Sequence, residues 1–94
     1  MSGDLVVRAW RVHGRVQGVG FRWHTVQKAR AIGLEGRVWN RSDGSVEVQV
    51  RGSVADVEEL ERWLGDGPAA ASVERVEVVS PGTEATEPGF KALL

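Results

Sequence analysis

Cysteine is absent from the 94 residues, which excludes disulfides, thiolate nucleophiles and thiolate metal sites. Stability must then come from packing, and the composition fits a reducing compartment. An excess of one charge is missing too. Twelve Lys and Arg against 13 Asp and Glu give a formal net charge of -1, so no global positive field exists to hold a nucleic acid backbone or an anionic membrane. Any anion site must be local. Long apolar runs are also lacking: none approaches the ~20 residues of a membrane span, and Met1-Ser2-Gly3-Asp4 has no positively charged secretory n-region, so a cytoplasmic protein is expected. Histidine is scarce, at positions 13 and 24 only, without ligand spacing such as His-x-x-x-His, so neither a metal nor another cofactor is expected. No repeat, linker or low-complexity tract interrupts the chain; the Pro/Gly/Thr/Glu-rich stretch from Pro81 to Gly89 reads as a loop.

What is present suits one compact domain. The hydrophobic fraction of 41% and the charged fraction of 27% are near the averages of globular chains, and the length supports one core. Leu5 to His13 is rich in β-formers (Val6, Val7, Trp10, Val12), but Arg8 and Arg11 interrupt it, so its inward face is not assignable. From Arg22 to Ile32 the spacing of Val26, Ala29 and Ile32 predicts a helix stopped by Gly33. Gly36 to Arg41 and Ser45 to Arg51 flank the turn signal Ser42-Asp43-Gly44 and predict a hairpin. In its second arm Val46, Val48 and Val50 alternate with Glu47, Gln49 and Arg51, the pattern of a half-buried strand.

Ser53 with Asp56 opens a second helix, Val57, Leu60 and Leu64 form its apolar stripe, and Gly65 and Gly67-Pro68 end it. Val73 to Val79 is a fourth strand, and Phe90 to Leu94 adds a short edge strand. The order β-α-β-β-α-β predicts an α+β, ferredoxin-like split βαβ domain, an antiparallel sheet with both helices on one face. Because that fold hosts many activities, function must be argued from a site.

The candidate site is the segment Gly14-Arg15-Val16-Gln17-Gly18-Val19-Gly20-Phe21-Arg22, between the first strand and the first helix. Its glycines let the chain curl so that successive N–H groups converge, and the helix start adds unpaired donors. Arg22 is the informative residue. A cation in the first turn opposes the helix macrodipole at a cost of ~0.3–1 kcal/mol, and a bound anion reverses that cost. Its planar fork suits two oxygens of a phosphoryl group. The competing account is a tight turn followed by a solvated surface arginine. The loop lacks the Gly-Lys-Ser/Thr ending of a Walker loop and is not the dinucleotide fingerprint, so neither ATP nor NAD follows.

Val12-His13-Gly14-Arg15-Val16-Gln17-Gly18-Val19-Gly20-Phe21-Arg22 resembles the first signature of the acylphosphatase family. Gly36-Arg37-Val38-Trp39-Asn40, with Gly44, Val46 and Gly52, resembles the second, in the right order. Arg37 and Trp39 depart from the usual residues. The likeness runs from Val6 to about Val79, and the tail Phe90-Lys91-Ala92-Leu93-Leu94 resembles the family's last strand only loosely. The resemblance implies a single acylphosphatase-like domain over residues 1–94 that hydrolyses small acyl phosphates without a metal. It implies that Arg22 and the backbone of Arg15, Val16, Gln17, Gly18, Val19, Gly20 and Phe21 bind phosphate, and that Asn40 orients the attacking water.

An asparagine amide has donors and an acceptor and does not titrate, which suits that task; otherwise Asn40 is an ordinary residue before a turn. His24 lies two residues after Arg22, a spacing that does not face it on a helix, so no essential role is assigned to it or to His13. The partner expected is a small acyl phosphate, with no nucleic acid and no membrane, and the chain is expected to be a monomer. Four tryptophans do not make an RNA-binding sheet, because the strand Val46 to Arg51 lacks paired aromatics, and Trp63 beside Leu60 and Leu64 is expected to pack. The alternative function is a non-catalytic phosphate- or acyl-phosphate-binding module.

Overall fold

The computed structural model of the chain describes residues 4–82 and 88–93. Its elements are β1 (Leu5–Arg15), α1 (Phe21–Ile32), β2 (Glu35–Asn40), β3 (Val46–Ser53), α2 (Val54–Asp66), β4 (Ser72–Val79) and β5 (Phe90–Ala92). They form one five-stranded sheet in the order β4-β1-β3-β2-β5. The expected α+β, βαββαβ arrangement is therefore present. Four strands are antiparallel, while β5 pairs with β2 in parallel, with Gly36 opposite Phe90 and Val38 opposite Ala92, so the sheet is mixed rather than purely antiparallel. The expected tail strand is this β5; Leu94 and part of the expected loop Pro81 to Gly89 lie outside the described residues.

Register settles the inward face that the arginines of β1 obscured. Trp10 sits opposite Val48 and Val12 opposite Val46, and all four are buried in one core with Val38, Phe90 and the apolar stripes of both helices. Arg8 shares that face at its rim, where it meets Glu61 of α2 at 3.6 Å. Burial of this kind is what holds so small a sheet together: truncating a fully buried tryptophan such as Trp10 to alanine costs ~3–5 kcal/mol. Trp63 packs as expected, its ring 5.9 Å from that of Phe21.

The half-buried pattern expected of β3 does not hold, because its second face is covered as well. Glu47 is 8% exposed and Gln49 2%. Glu47 accepts from Arg11 Nε at 3.0 Å and from Arg41 Nη1 at 3.1 Å, and Gln49 Oε1 accepts from the backbone N–H of Gly82 at 3.2 Å. Buried polar groups are tolerated where they are bonded in this way. The second helix starts as expected, with the Ser53 hydroxyl accepting from Asp56 N at 3.2 Å. It runs through Gly65 and stops at Gly67, whose N–H bonds Trp63 O at 2.8 Å. No helix among the described residues is long and apolar enough to cross a membrane.

Candidate active site

The loop after β1 leads into α1 through Gly20, which holds a left-handed conformation at φ 79° that a side chain would disfavour. The first intrahelical bond runs from His24 N to Gly20 O at 3.0 Å, so the amides of Phe21, Arg22 and Trp23 precede it. No side chain caps this end and no acidic residue stands in its first turn, in contrast to α2 with its Ser53 cap and Asp56. The start of α1 thus keeps its donors and its partial positive charge for something outside the helix.

Arg22 projects from that first turn. Its Nη1 donates to the carbonyl of Leu93 at 2.7 Å, just beyond β5, which fixes one arm of the guanidinium and leaves the rest of the fork for a ligand. Asn40 ends β2 and is exposed. The position of Asn40 is set by the turn that follows. Arg41 N donates to Ser45 O at 2.9 Å and Gly44 N to Arg41 O at 3.2 Å. The Asp43 carboxylate accepts the Ser45 hydroxyl at 2.6 Å and the Ser45 N–H at 2.9 Å. Those two bonds, the hydroxyl's first, hold the Asp43 carboxyl down from 3.8 to about 2.

Loop and turn are joined. The Gln17 side-chain amide donates to Arg41 O at 2.7 Å and to Ser45 O at 2.9 Å. The link sets the phosphate-loop candidate against the residue after Asn40. A cavity of about 480 Å³ is lined by Val16, Gly18, Gly20, Phe21, Arg22 and Asn40 among the expected residues. Arg22 and Asn40, on separate elements, therefore share one cavity, which is of the size that holds small molecules.

The family model described as Acylphosphatase matches residues 8–92 of this chain. The chain belongs to the acylphosphatase family. It is 47% identical over 83 residues to an acylphosphatase of Thermococcus kodakarensis, covering 88% of this chain and 90% of that one. With the acylphosphatase of Pasteurella multocida it shares 54% over 72 residues, covering 77% and 80%. The crystal structure of acylphosphatase from Bacillus subtilis superposes with a TM-score of 0.85 at 30% identity, over 97% of this chain and 100% of that one. On the strength of these relatives the chain is an acylphosphatase enzyme.

Three of the expected acylphosphatase loop residues do not line the cavity. Arg15 ends β1 opposite Ser72, Gln17 turns its side chain to the hairpin, and Val19 packs against the core. The two departures from the family pattern lie on the other side of the sheet: Arg37 and Trp39 alternate with Val38 and Asn40, and the Arg37 guanidinium sits 5.5 Å over the Trp39 ring. His13 is 2.9 Å from Glu77, whose carboxyl it holds below the usual range, and neither it nor His24 lines the cavity. Reading the sequence missed Trp23, Val26, Gln27, Arg30 and Ala92, which complete the wall. The helical residues were findable, because Val26 and Arg30 follow Arg22 at four-residue steps on one helix face. Ala92 was not, because its place depends on the pairing of β5 with β2.

Proposed function

We propose that this acylphosphatase hydrolyses the carboxyl–phosphate bond of small acyl phosphates to a carboxylate and inorganic phosphate, with Arg22 and the loop amides from Arg15 to Phe21 as the phosphate cradle and Asn40 as the water holder. The observation that carries this reading is the common cavity of Arg22, Asn40 and the glycine loop. An acyl phosphate is a mixed anhydride and already activated, so positioning and charge stabilisation outweigh the need for a strong base. Arg22 and the amides around Val16, Gly18, Gly20 and Phe21 neutralise the phosphoryl oxygens. The Asn40 amide orients a water toward phosphorus. As its oxygen bonds to phosphorus, the bond from phosphorus to the carboxyl oxygen breaks, the carboxylate leaves with the electron pair, and a substrate oxygen takes the water's proton.

Benzoyl phosphate hydrolysis, followed in the presence of a chelator, tests the assignment. Wild type is expected to accelerate it. Arg22→Ala is expected to abolish turnover with circular dichroism unchanged. Asn40→Ala is expected to lower kcat by ~100-fold, the scale of losing one positioning group, while inorganic phosphate inhibits as before. A folded wild type that binds phosphate saturably without turnover would leave only a binding module, and full kcat in Asn40→Ala would remove the water-holding role.

A further inference from the structure

Trp23 stands beside Arg22 in the first turn of α1 and is 61% exposed, with its one described ring contact an edge-to-face meeting with His24 at 5.0 Å and 86°. That contact covers at most one indole face. The other three tryptophans are accounted for: Trp10 is fully buried, Trp63 lies against Phe21, and Trp39 lies under Arg37. A single exposed aromatic is ordinary on a protein surface. Its position is what distinguishes this one, because Trp23 lines the same cavity as Arg22 and Asn40.

The cavity wall is mixed in character: beside Gly18, Gly20, Arg22 and Asn40 it includes the apolar side chains of Trp23, Val26 and Ala92. At about 480 Å³ the space exceeds what a phosphate alone fills. In an acyl phosphate the carbonyl carbon is joined to phosphorus through one oxygen, so with the phosphoryl group at Arg22 the acyl substituent extends into the cavity that Trp23 also lines. A planar apolar substituent can stack on an indole face, and a methyl group offers little to stack.

We propose that Trp23 is a specificity-determining platform for the acyl group, selecting acyl phosphates whose acyl part is flat and apolar. This rests on the proposed phosphate cradle at Arg22 and adds the acyl side of the same site. It predicts a split between substrates. In Trp23→Ala the KM for benzoyl phosphate rises about five- to tenfold with kcat little changed, while acetyl phosphate keeps its KM within about twofold. Trp23→Phe recovers most of the loss, since a smaller ring still stacks.

Binding of two stable analogues, benzylphosphonate and methylphosphonate, separates this proposal from the hydrolytic one. Calorimetry on wild type is expected to show tighter binding of benzylphosphonate, and Trp23→Ala is expected to lose that preference, with thermal unfolding unchanged because the side chain is exposed. Equal weakening toward both phosphonates, or no weakening of either, overturns the platform even if hydrolysis is intact. A wild type that hydrolyses neither substrate yet shows the tryptophan-dependent preference retains the platform and removes the hydrolytic reading.

Discussion

Replacing Gln17 with leucine keeps the side-chain bulk but removes the amide that ties the loop to the turn after Asn40. Two hydrogen bonds disappear, to Arg41 O at 2.7 Å and to Ser45 O at 2.9 Å. At ~0.5–1.5 kcal/mol net for each neutral bond, the sum is ~1–3 kcal/mol. Both carbonyls keep a second partner, Gly44 N on Arg41 O and Arg41 N on Ser45 O, so neither is orphaned and the lower part of that range, ~1–2 kcal/mol, applies. In a domain of this size such a loss lowers Tm by about 5–10 °C. The consequence for activity is larger than for stability, because Asn40 and the loop would no longer be held at a fixed separation, and kcat for benzoyl phosphate is expected to fall by about tenfold or more. Circular dichroism melting and steady-state kinetics on the same preparation check both. A Tm within about 1 °C of wild type together with an unchanged kcat would refute the reasoning, since the two bonds would then contribute neither stability nor position.

Gly36 has φ 145°, and a Cβ there would overlap the Gln49 carbonyl on β3, so Gly36→Ala is expected to cost at least ~2 kcal/mol in denaturant unfolding or to prevent folding; a smaller loss would show that β2 and β3 can separate locally. The Asp43 carboxyl is held from 3.8 to about 2, a depressed value, so its contribution to stability is present above pH 3.8 and disappears as pH falls through about 2. Asp43→Asn is therefore expected to melt below wild type at neutral pH and to converge with it by about pH 2, by a modest and salt-sensitive amount because the group is exposed. A gap that stays constant across that range would mean that the carboxylate charge is not what braces the turn.

Much of the fold was legible because local geometry determines it. The Ser53 cap and the stop at Gly33 each depend on residues a few positions apart and stand where expected, and Val46, Val48 and Val50 form a strand as their spacing predicts, although Glu47 and Gln49 between them are buried too. Boundaries slipped where a local signal competed with context. Gly65 is tolerated inside α2, and the glycine that ends the helix is Gly67, whose N–H finds Trp63 O. The site was legible in part. The motif from Gly14 to Arg22 has its own physical logic, a cradle of glycines and a cation at a helix start, whereas Asn40 was singled out by the family resemblance alone, since by its own surroundings in the sequence it is an ordinary residue before a turn.

By itself the sequence determined the order of the elements, the family, and the pairing of a glycine-rich loop with an arginine at a helix start. Only the tertiary structure decided which face of β1 turns inward, why Glu47 and Gln49 are buried, and that β5 runs parallel to β2 so that Leu93 anchors Arg22. It also decided that Gln17 spans from the loop to the hairpin and that Trp23 looks into the same cavity as Arg22 and Asn40. The difference is one of range. Spacing along the chain fixes what a residue does to its neighbours within a turn or a strand, but contacts across the sheet depend on strand order and register, which no short window of residues contains.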